Sequence, residues 1–201
     1  KQFNEGEVIT SKIFAEFLSQ RINWLATVDP HLHRHKSLSE IYPIPTLNIP
    51  SSKGISNWIK NNITQKSLLI GPDEESRQWV SAIASATRLE FEILTKVRMG
   101  DEDVRITLPS IEKYQNLTPI LIDDIISTGN TMMKAAKHLK EAKMNPAIII
   151  GVHAIFAGNS YERITNSGAE KIITCNTITH PSNQIDLSEI IADNLIKNNL
   201  V

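Results

Sequence analysis

The sequence is poor in cysteine, in long apolar runs and in charge of one sign, and each shortage excludes a class of protein. Its single thiol, Cys175, permits neither an intrachain disulfide nor a thiolate metal cluster within one chain and fits a reducing compartment. No stretch approaches the roughly 20 apolar residues that span a bilayer, and the opening Lys1–Glu7 is polar rather than a signal peptide. The chain therefore reads as cytoplasmic, with no membrane partner. Twenty-one Lys and Arg stand against 22 Asp and Glu, for a net charge of -1. That balance makes no field to gather nucleic acid. Any affinity for phosphate must be local, built by a few placed groups, which points to small phosphorylated ligands. What remains, with 41% hydrophobic and 21% charged residues in 201, is an ordinary globular chain, long enough for one domain and part of another.

Apolar residues Ile9, Ile13, Phe14, Phe17, Leu18 and Ile22 recur at helical spacing behind Thr10 and Ser11, and Trp24–Val28 reads as a strand ending at Asp29-Pro30. Pro43, Pro45 and Pro50 punctuate the next stretch. A short helix from about Ile55 to Ile63 follows, and a boundary is expected there: 1–62 as one part and 63–201 as a domain. From Lys66 the chain alternates strictly. Apolar runs at 67–70, 90–94, 119–122 and 147–152 are separated by a helix from about Glu75 to Thr87, a polar loop, and a helix from about Gly129 to Lys143. Such alternation predicts an α/β fold, a parallel sheet flanked by helices, with the ligand at the carboxyl ends of the strands.

The run Leu121-Ile122-Asp123-Asp124-Ile125-Ile126-Ser127-Thr128-Gly129-Asn130-Thr131 carries the most chemistry. The backbone N–H groups and hydroxyls from Ser127 to Thr131 can cradle a phosphate at the positive end of a helix. Asp123 and Asp124 can accept hydrogen bonds from sugar hydroxyls or hold a magnesium ion. The bland alternative is a helix capped by Ser127 or Thr128 beside two solvated acids.

This run resembles the phosphoribosyl-pyrophosphate-binding motif of type I phosphoribosyltransferases and phosphoribosyl pyrophosphate synthetases. Three further segments favour the synthetases. Thr27-Val28-Asp29-Pro30-His31 resembles their Asp-x-His signature, Gly71-Pro72-Asp73 the start of their pyrophosphate-binding loop, and Lys96-Val97-Arg98 the base of their catalytic loop. Gln2–Glu7 is similar to the segment after their adenine-binding residues, and the missing initial methionine reads as a lost beginning. The resemblance implies a type I phosphoribosyltransferase-like domain with part of a second, similar domain at the N-terminus. It implies an oligomeric, cytoplasmic ribose-phosphate pyrophosphokinase, a homo-oligomer with ATP and ribose 5-phosphate as partners and Mg2+ as cofactor.

In that resemblance Lys96 and Arg98 are catalytic. Asp123, Asp124, Ser127, Thr128, Gly129, Asn130 and Thr131 bind ribose 5-phosphate, His31 and Asp73 bind ATP or its pyrophosphate, and Asp29, His31 and Asp73 serve the metal. The shortened chain by itself is expected to turn over negligibly. Two other functions stay open, a non-catalytic subunit associated with a synthetase and a type I phosphoribosyltransferase. The sequence departs from the family's pattern at Glu74-Glu75-Ser76, where a small and glycine-rich loop is usual, and at His35–Tyr42. Lys96 and Arg98, read without the family, are a solvated pair on a polar loop. His31, His33 and His35 would share a face if extended, but Pro30 breaks a regular strand there. His153 reads as a packed histidine or as pocket wall, and Cys175 as a small buried hydrophobe.

Overall fold

A computed structural model gives the three-dimensional structure, which describes residues 9–32, 35–98, 104–107 and 111–201; for residues 96–98, 104–107, 111 and 112 it describes the backbone alone. In chain order the elements are α1 (Thr10–Ser19), β1 (Leu25–Val28), β2 (Thr46–Ile49), α2 (Ser52–Asn62), β3 (Ser67–Gly71), α3 (Arg77–Thr87), β4 (Phe91–Ile93), β5 (Thr95–Arg98), β6 (Val104–Thr107), β7 (Thr118–Ile126), α4 (Asn130–Glu141), β8 (Ile148–Ala154), α5 (Ser160–Asn166), β9 (Lys171–Cys175), β10 (Asn183–Ile185) and α6 (Ser188–Lys197). They form two compact units, 1–50 with 188–201, and 51–187. The helix expected to link two domains, α2, packs on α3 inside the second unit, and α6 packs on β2 inside the first.

The second unit is built on a six-stranded sheet in the order β10-β9-β8-β7-β3-β4, every pair parallel. Its strands are nearly continuous apolar runs because helices must cover both faces of a parallel sheet. Leu68, Ile70, Leu121 and Ile149 share one cluster with Met132, Ala135 and Leu139 of α4 and Ile164 of α5. Leu69, Ile120 and Ile122, which alternate with them and so point to the other face, are equally shut off from water. Both ends of β7 differ from the sequence expectation. It runs nine residues to Ile126, so Asp123 and Asp124 lie within the strand's last turn of pleat rather than beyond its tip.

The segment expected to be a polar loop contains a hairpin. β5 pairs antiparallel with β6, Lys96 opposite Ile106 and Arg98 opposite Val104, as a two-stranded sheet of its own. Local polarity hid it, since a ladder between distant β-branched residues is invisible in a short window. In the first unit β1 and β2 pair in parallel, β2 fitting between the prolines at 45 and 50. Ile13, Phe14 and Phe17 of α1, whose spacing predicted a buried face, are each more than half exposed.

Candidate functional site

The order of the sheet locates the site before any side chain is considered. From β3 the chain moves to β4 on one side and then to β7, β8 and β9 on the other. The strand order therefore reverses between β3 and β7, and a crevice opens outside their carboxyl ends at such a switch point. β3 delivers Gly71-Pro72-Asp73 to that crevice, and β7 delivers Asp123 to Ser127.

At the end of β3 the chain folds back at once into a 3-10 turn, Glu74–Ser76, which leads into α3. Ser76 donates from both its N–H and its hydroxyl to the Asp73 carbonyl, at 3.1 and 2.5 Å. A side chain at Gly71 would overlap the Ser76 hydroxyl and stand 2.6 Å from Ile93 Cδ1, so only glycine allows this close return. Glu74, one of the two acids that replace small residues here, is held by Arg77: Nε donates to Oε1 at 2.5 Å and Nη2 to Oε2 at 2.9 Å. This bidentate contact lowers the pKa of the Glu74 carboxyl and fixes its charge on a cation.

β7 continues into a loop that ends at Gly129, which takes φ +71° as the N-cap of α4. A Cβ there would lie 2.5 Å from Ile164 Cδ1, so the glycine serves both the left-handed turn and the packing of α5. The loop's carbonyls are turned toward the chain after β8. Phe156 N–H donates to Ile126 O at 2.9 Å, Ala157 N–H to Ser127 O at 3.1 Å, and the Ser160 hydroxyl to Ser127 O at 2.8 Å. No side chain caps α4 and no acid stands in its first turn. The first N–H groups of a helix have no partner within it, so this end is disposed toward an anion. Among Ser127 to Thr131, Gly129 is buried, Ser127 and Thr131 are half-buried, and Thr128 and Asn130 are exposed.

Asp123 and Asp124 supply the opposite polarity. Asp124 is buried, and its Oδ1 accepts from Ile125 N–H at 2.8 Å. Asp123 Oδ1 accepts from Asp124 N–H at 3.1 Å. Burial first, and then the charges of Asp124 and Asp73, raise the Asp123 carboxyl well above the ordinary carboxylate range. The tip of β3 is thus close enough for Asp73 to be felt electrostatically at Asp123. Carboxylates gathered in this way suit a hard dication binding through oxygen. No group of three or more His, Cys, Asp or Glu side chains among the described residues forms a ready metal cage. Mg2+ does not require one, since it retains water and shares substrate phosphates.

The other expected residues lie elsewhere in the sequence and fold. Lys96 and Arg98 are on β5, four residues beyond Glu92 in the first case; their side chains lie outside the described residues. Asp29, with φ +35°, and Pro30 follow β1, and His31 follows them in the first unit. An aspartate in the left-handed region is uncommon and such strain clusters at functional positions. His33, Arg34 and Gln2–Glu7 fall outside the described residues.

The sequence gives no signal for Arg163 and reads His153 as packed or as pocket wall. Arg163 of α5 donates from Nη2 to Asn130 Oδ1 at 3.2 Å, a contact between residues 33 apart that no local pattern encodes. His153, paired with Ile125 across β7 and β8, bonds the Thr177 hydroxyl at 2.9 Å, while that hydroxyl donates to Val152 O at 2.8 Å. With its hydrogen so committed, the Thr177 oxygen accepts, and His153 Nδ1 carries the proton.

A parallel sheet whose switch point joins paired acids to an uncapped helix after a left-handed glycine defines a phosphoribosyltransferase-type domain, and residues 37–189 match the phosphoribosyl transferase domain family. The ribose-phosphate pyrophosphokinase of Methanobrevibacter smithii is 30% identical over 96% of this chain and 67% of its own length; that of Methanopyrus kandleri is 27% identical over 96% and 65%. The chain belongs to the ribose-phosphate pyrophosphokinase family, and it spans about two thirds of the length of these relatives. In fold it is similar to the phosphoribosylpyrophosphate synthetase of Mycobacterium smegmatis, with a TM-score of 0.81 at 20% identity over 99% of this chain and 67% of that one. No helix among the described residues is long and apolar enough to cross a membrane.

Proposed function

We propose that the protein to which this chain belongs transfers the terminal pyrophosphate of ATP to ribose 5-phosphate, releasing AMP and forming phosphoribosyl pyrophosphate. The observation that carries the reading is the junction of β7 and α4: two adjacent carboxylates, a loop turned at Gly129, and a helix end with no side-chain cap. A ribose 5-phosphate fits that polarity. Its phosphate meets the N–H groups and hydroxyls of Ser127, Thr128, Gly129, Asn130 and Thr131, and its ring hydroxyls donate to Asp123 and Asp124.

The ribose O1 hydroxyl attacks the β-phosphorus of ATP and forms an O–P bond, the bond from that phosphorus to the oxygen bridging to the α-phosphate breaks, AMP leaves with that oxygen, and the hydroxyl proton passes to solvent. Charge on the phosphoryl oxygens grows along this path, so cations held in place supply most of the catalysis. Lys96 and Arg98 take that role. Asp73 would hold Mg2+ and the polyphosphate, and the likeness of Asp29-Pro30-His31 to the family's Asp-x-His signature proposes a nucleotide role for Asp29 and His31. Bound there, the ion would neutralise phosphate charge and orient the oxygens in line. The Arg77 contact supports this enzymatic reading over that of a non-catalytic subunit, because Glu74, which with Glu75 favours the latter, is matched by a neighbouring cation. A cytoplasmic homo-oligomer is part of the same proposal, supported by the single cysteine and the family.

Incubating the full-length protein with Mg2+, ATP and ribose 5-phosphate, and separating the nucleotides, tests the reading. AMP formed in equal amount to phosphoribosyl pyrophosphate is expected. ADP as the product, or base exchange on phosphoribosyl pyrophosphate in place of its synthesis, would assign the fold to another reaction.

A further inference from the structure

β5 and β6 form a hairpin apart from the main sheet, and two antiparallel strands alone are marginal in water. If Lys96 and Arg98 are to meet a transition state, something must hold the hairpin's stem. Its return strand β6 lies against α4, which braces one leg. On the other leg Leu94, 1% exposed, donates its N–H to Gly71 O at 2.9 Å. That bond sets the leg directly beside the turn that follows β3.

A side-chain contact links the two legs. Tyr114, in the short turn Ile111–Tyr114 after β6, donates its hydroxyl to Glu92 Oε1 of β4 at 2.8 Å, across 22 residues of chain. Each partner is anchored independently of the hairpin. Glu92 belongs to a strand of the main sheet, paired with Ile70. Tyr114 packs against the main apolar cluster, and its carbonyl accepts from Leu117 N–H at 3.1 Å just before β7 begins. The bond therefore closes the stem at its base and joins β4 to the start of β7. Half-buried, and made to a carboxylate, it is of the stronger kind. The phenol keeps its proton far into the alkaline range, pushed up to about 12 by this hydrogen bond first, then by burial and the charges of Glu92 and Glu90. Glu92 also acts electrostatically on Arg77, the cation that holds Glu74. Charge and hydrogen bonding thus link the turn after β3 to the base of the hairpin stem.

We infer that Glu92 and Tyr114 are positioning residues, which tie the stem of the β5–β6 hairpin and so set where Lys96 and Arg98 stand relative to the turn after β3. The inference rests on the proposed role of those two cations; the bond itself does not. Neither residue needs to touch substrate. A displacement of about 1 Å in a positioned group costs up to about 100-fold in rate, so loss of the tie acts on turnover while leaving the binding loops intact.

The test uses the full-length protein carrying Tyr114→Phe, Glu92→Ala, Glu92→Gln or both Tyr114→Phe and Glu92→Ala. Turnover should fall by roughly 10- to 100-fold in Tyr114→Phe and Glu92→Ala, with KM for ATP and ribose 5-phosphate changed by less than about threefold. The double variant should be no worse than either single one, because one bond is lost in all three. Glu92→Gln keeps an acceptor for the phenol and should retain most of the turnover. Amide hydrogen exchange is read in parallel and does not depend on the reaction. Exchange at 95–98 and 104–107 should quicken in Tyr114→Phe and Glu92→Ala, while β7 and β8 remain protected. Quickened exchange with lowered turnover supports the inference. Unchanged exchange, or quickened exchange with unchanged turnover, overturns it. A wild-type protein that makes no phosphoribosyl pyrophosphate would sink the proposed reaction instead, and the exchange data would then decide the tie by themselves.

Discussion

Asp123 sits in an environment far from that of the free amino acid. Buried beside Asp124 and under the influence of Asp73, it holds its proton more tightly in the folded protein than in the unfolded chain. The stability that this proton contributes is complete below the ordinary aspartate pKa of about 4 and is lost as pH rises through the raised folded value. Asp123→Asn removes both the charge and the titration. Its melting temperature should lie above that of the wild type in mildly alkaline buffer without metal, and the difference should shrink on acidification. Parallel melting curves for the two proteins from pH 5 to 9 would contradict the assignment of strain to this carboxyl. Gly129 carries a different kind of constraint. Alanine there must adopt φ near +71° and place its Cβ 2.5 Å from Ile164 Cδ1, so Gly129→Ala should cost about 2–4 kcal/mol in urea unfolding. The loss would reach phosphate binding through α5 and the loop together. A change below about 0.5 kcal/mol would mean that the loop and Ile164 yield more easily than this geometry implies.

Among the elements, α4 sets the position of the phosphate loop, and it does so through its apolar face. Met132, Ala135 and Leu139 recur at intervals of three and four, the spacing that turns one side of a helix toward a sheet. Each is at most 1% exposed. Leu139 lies at the far end from the loop, so its truncation tests packing without touching the site. Leu139→Ala should destabilise the protein by about 2–5 kcal/mol, while ribose 5-phosphate affinity, measured by calorimetry where the variant is folded, stays within about threefold of the wild type. Loss of affinity at unchanged stability would show that the helix moves as a lever and not as a fixed support. The hairpin is an element of the opposite kind. Its strands alternate charged and apolar residues, Lys96, Val97 and Arg98 against Val104, Arg105 and Ile106, and its sequence offers no local signal stronger than that of a polar loop. Its existence depends on pairing between segments, and the Tyr114–Glu92 bond at its base joins residues of no motif.

For the molecule as a whole, the division between sequence and structure follows the range of the interactions. Strictly alternating apolar runs and amphipathic helices from Lys66 onward determined the parallel α/β sheet, because strand and helix periods are local properties of the chain. The Asp123–Thr131 run determined the loop proposed to hold phosphate for the same reason: strand, acids, small residues and helix are consecutive, and one βα unit places them. Tertiary structure alone decided the strand order, and with it the switch point that brings Asp73 toward Asp123 across 49 intervening positions. It decided that Arg163 reaches Asn130 and that His153 is held by Thr177. It also decided that α2 belongs to the second unit and α6 to the first, and that Ile13, Phe14 and Phe17 of α1 stay exposed despite their helical spacing. A pattern of apolar residues states which face of an element avoids water. Which other element covers that face, and which charges meet at its edge, depends on partners tens of residues away and is fixed when the chain packs.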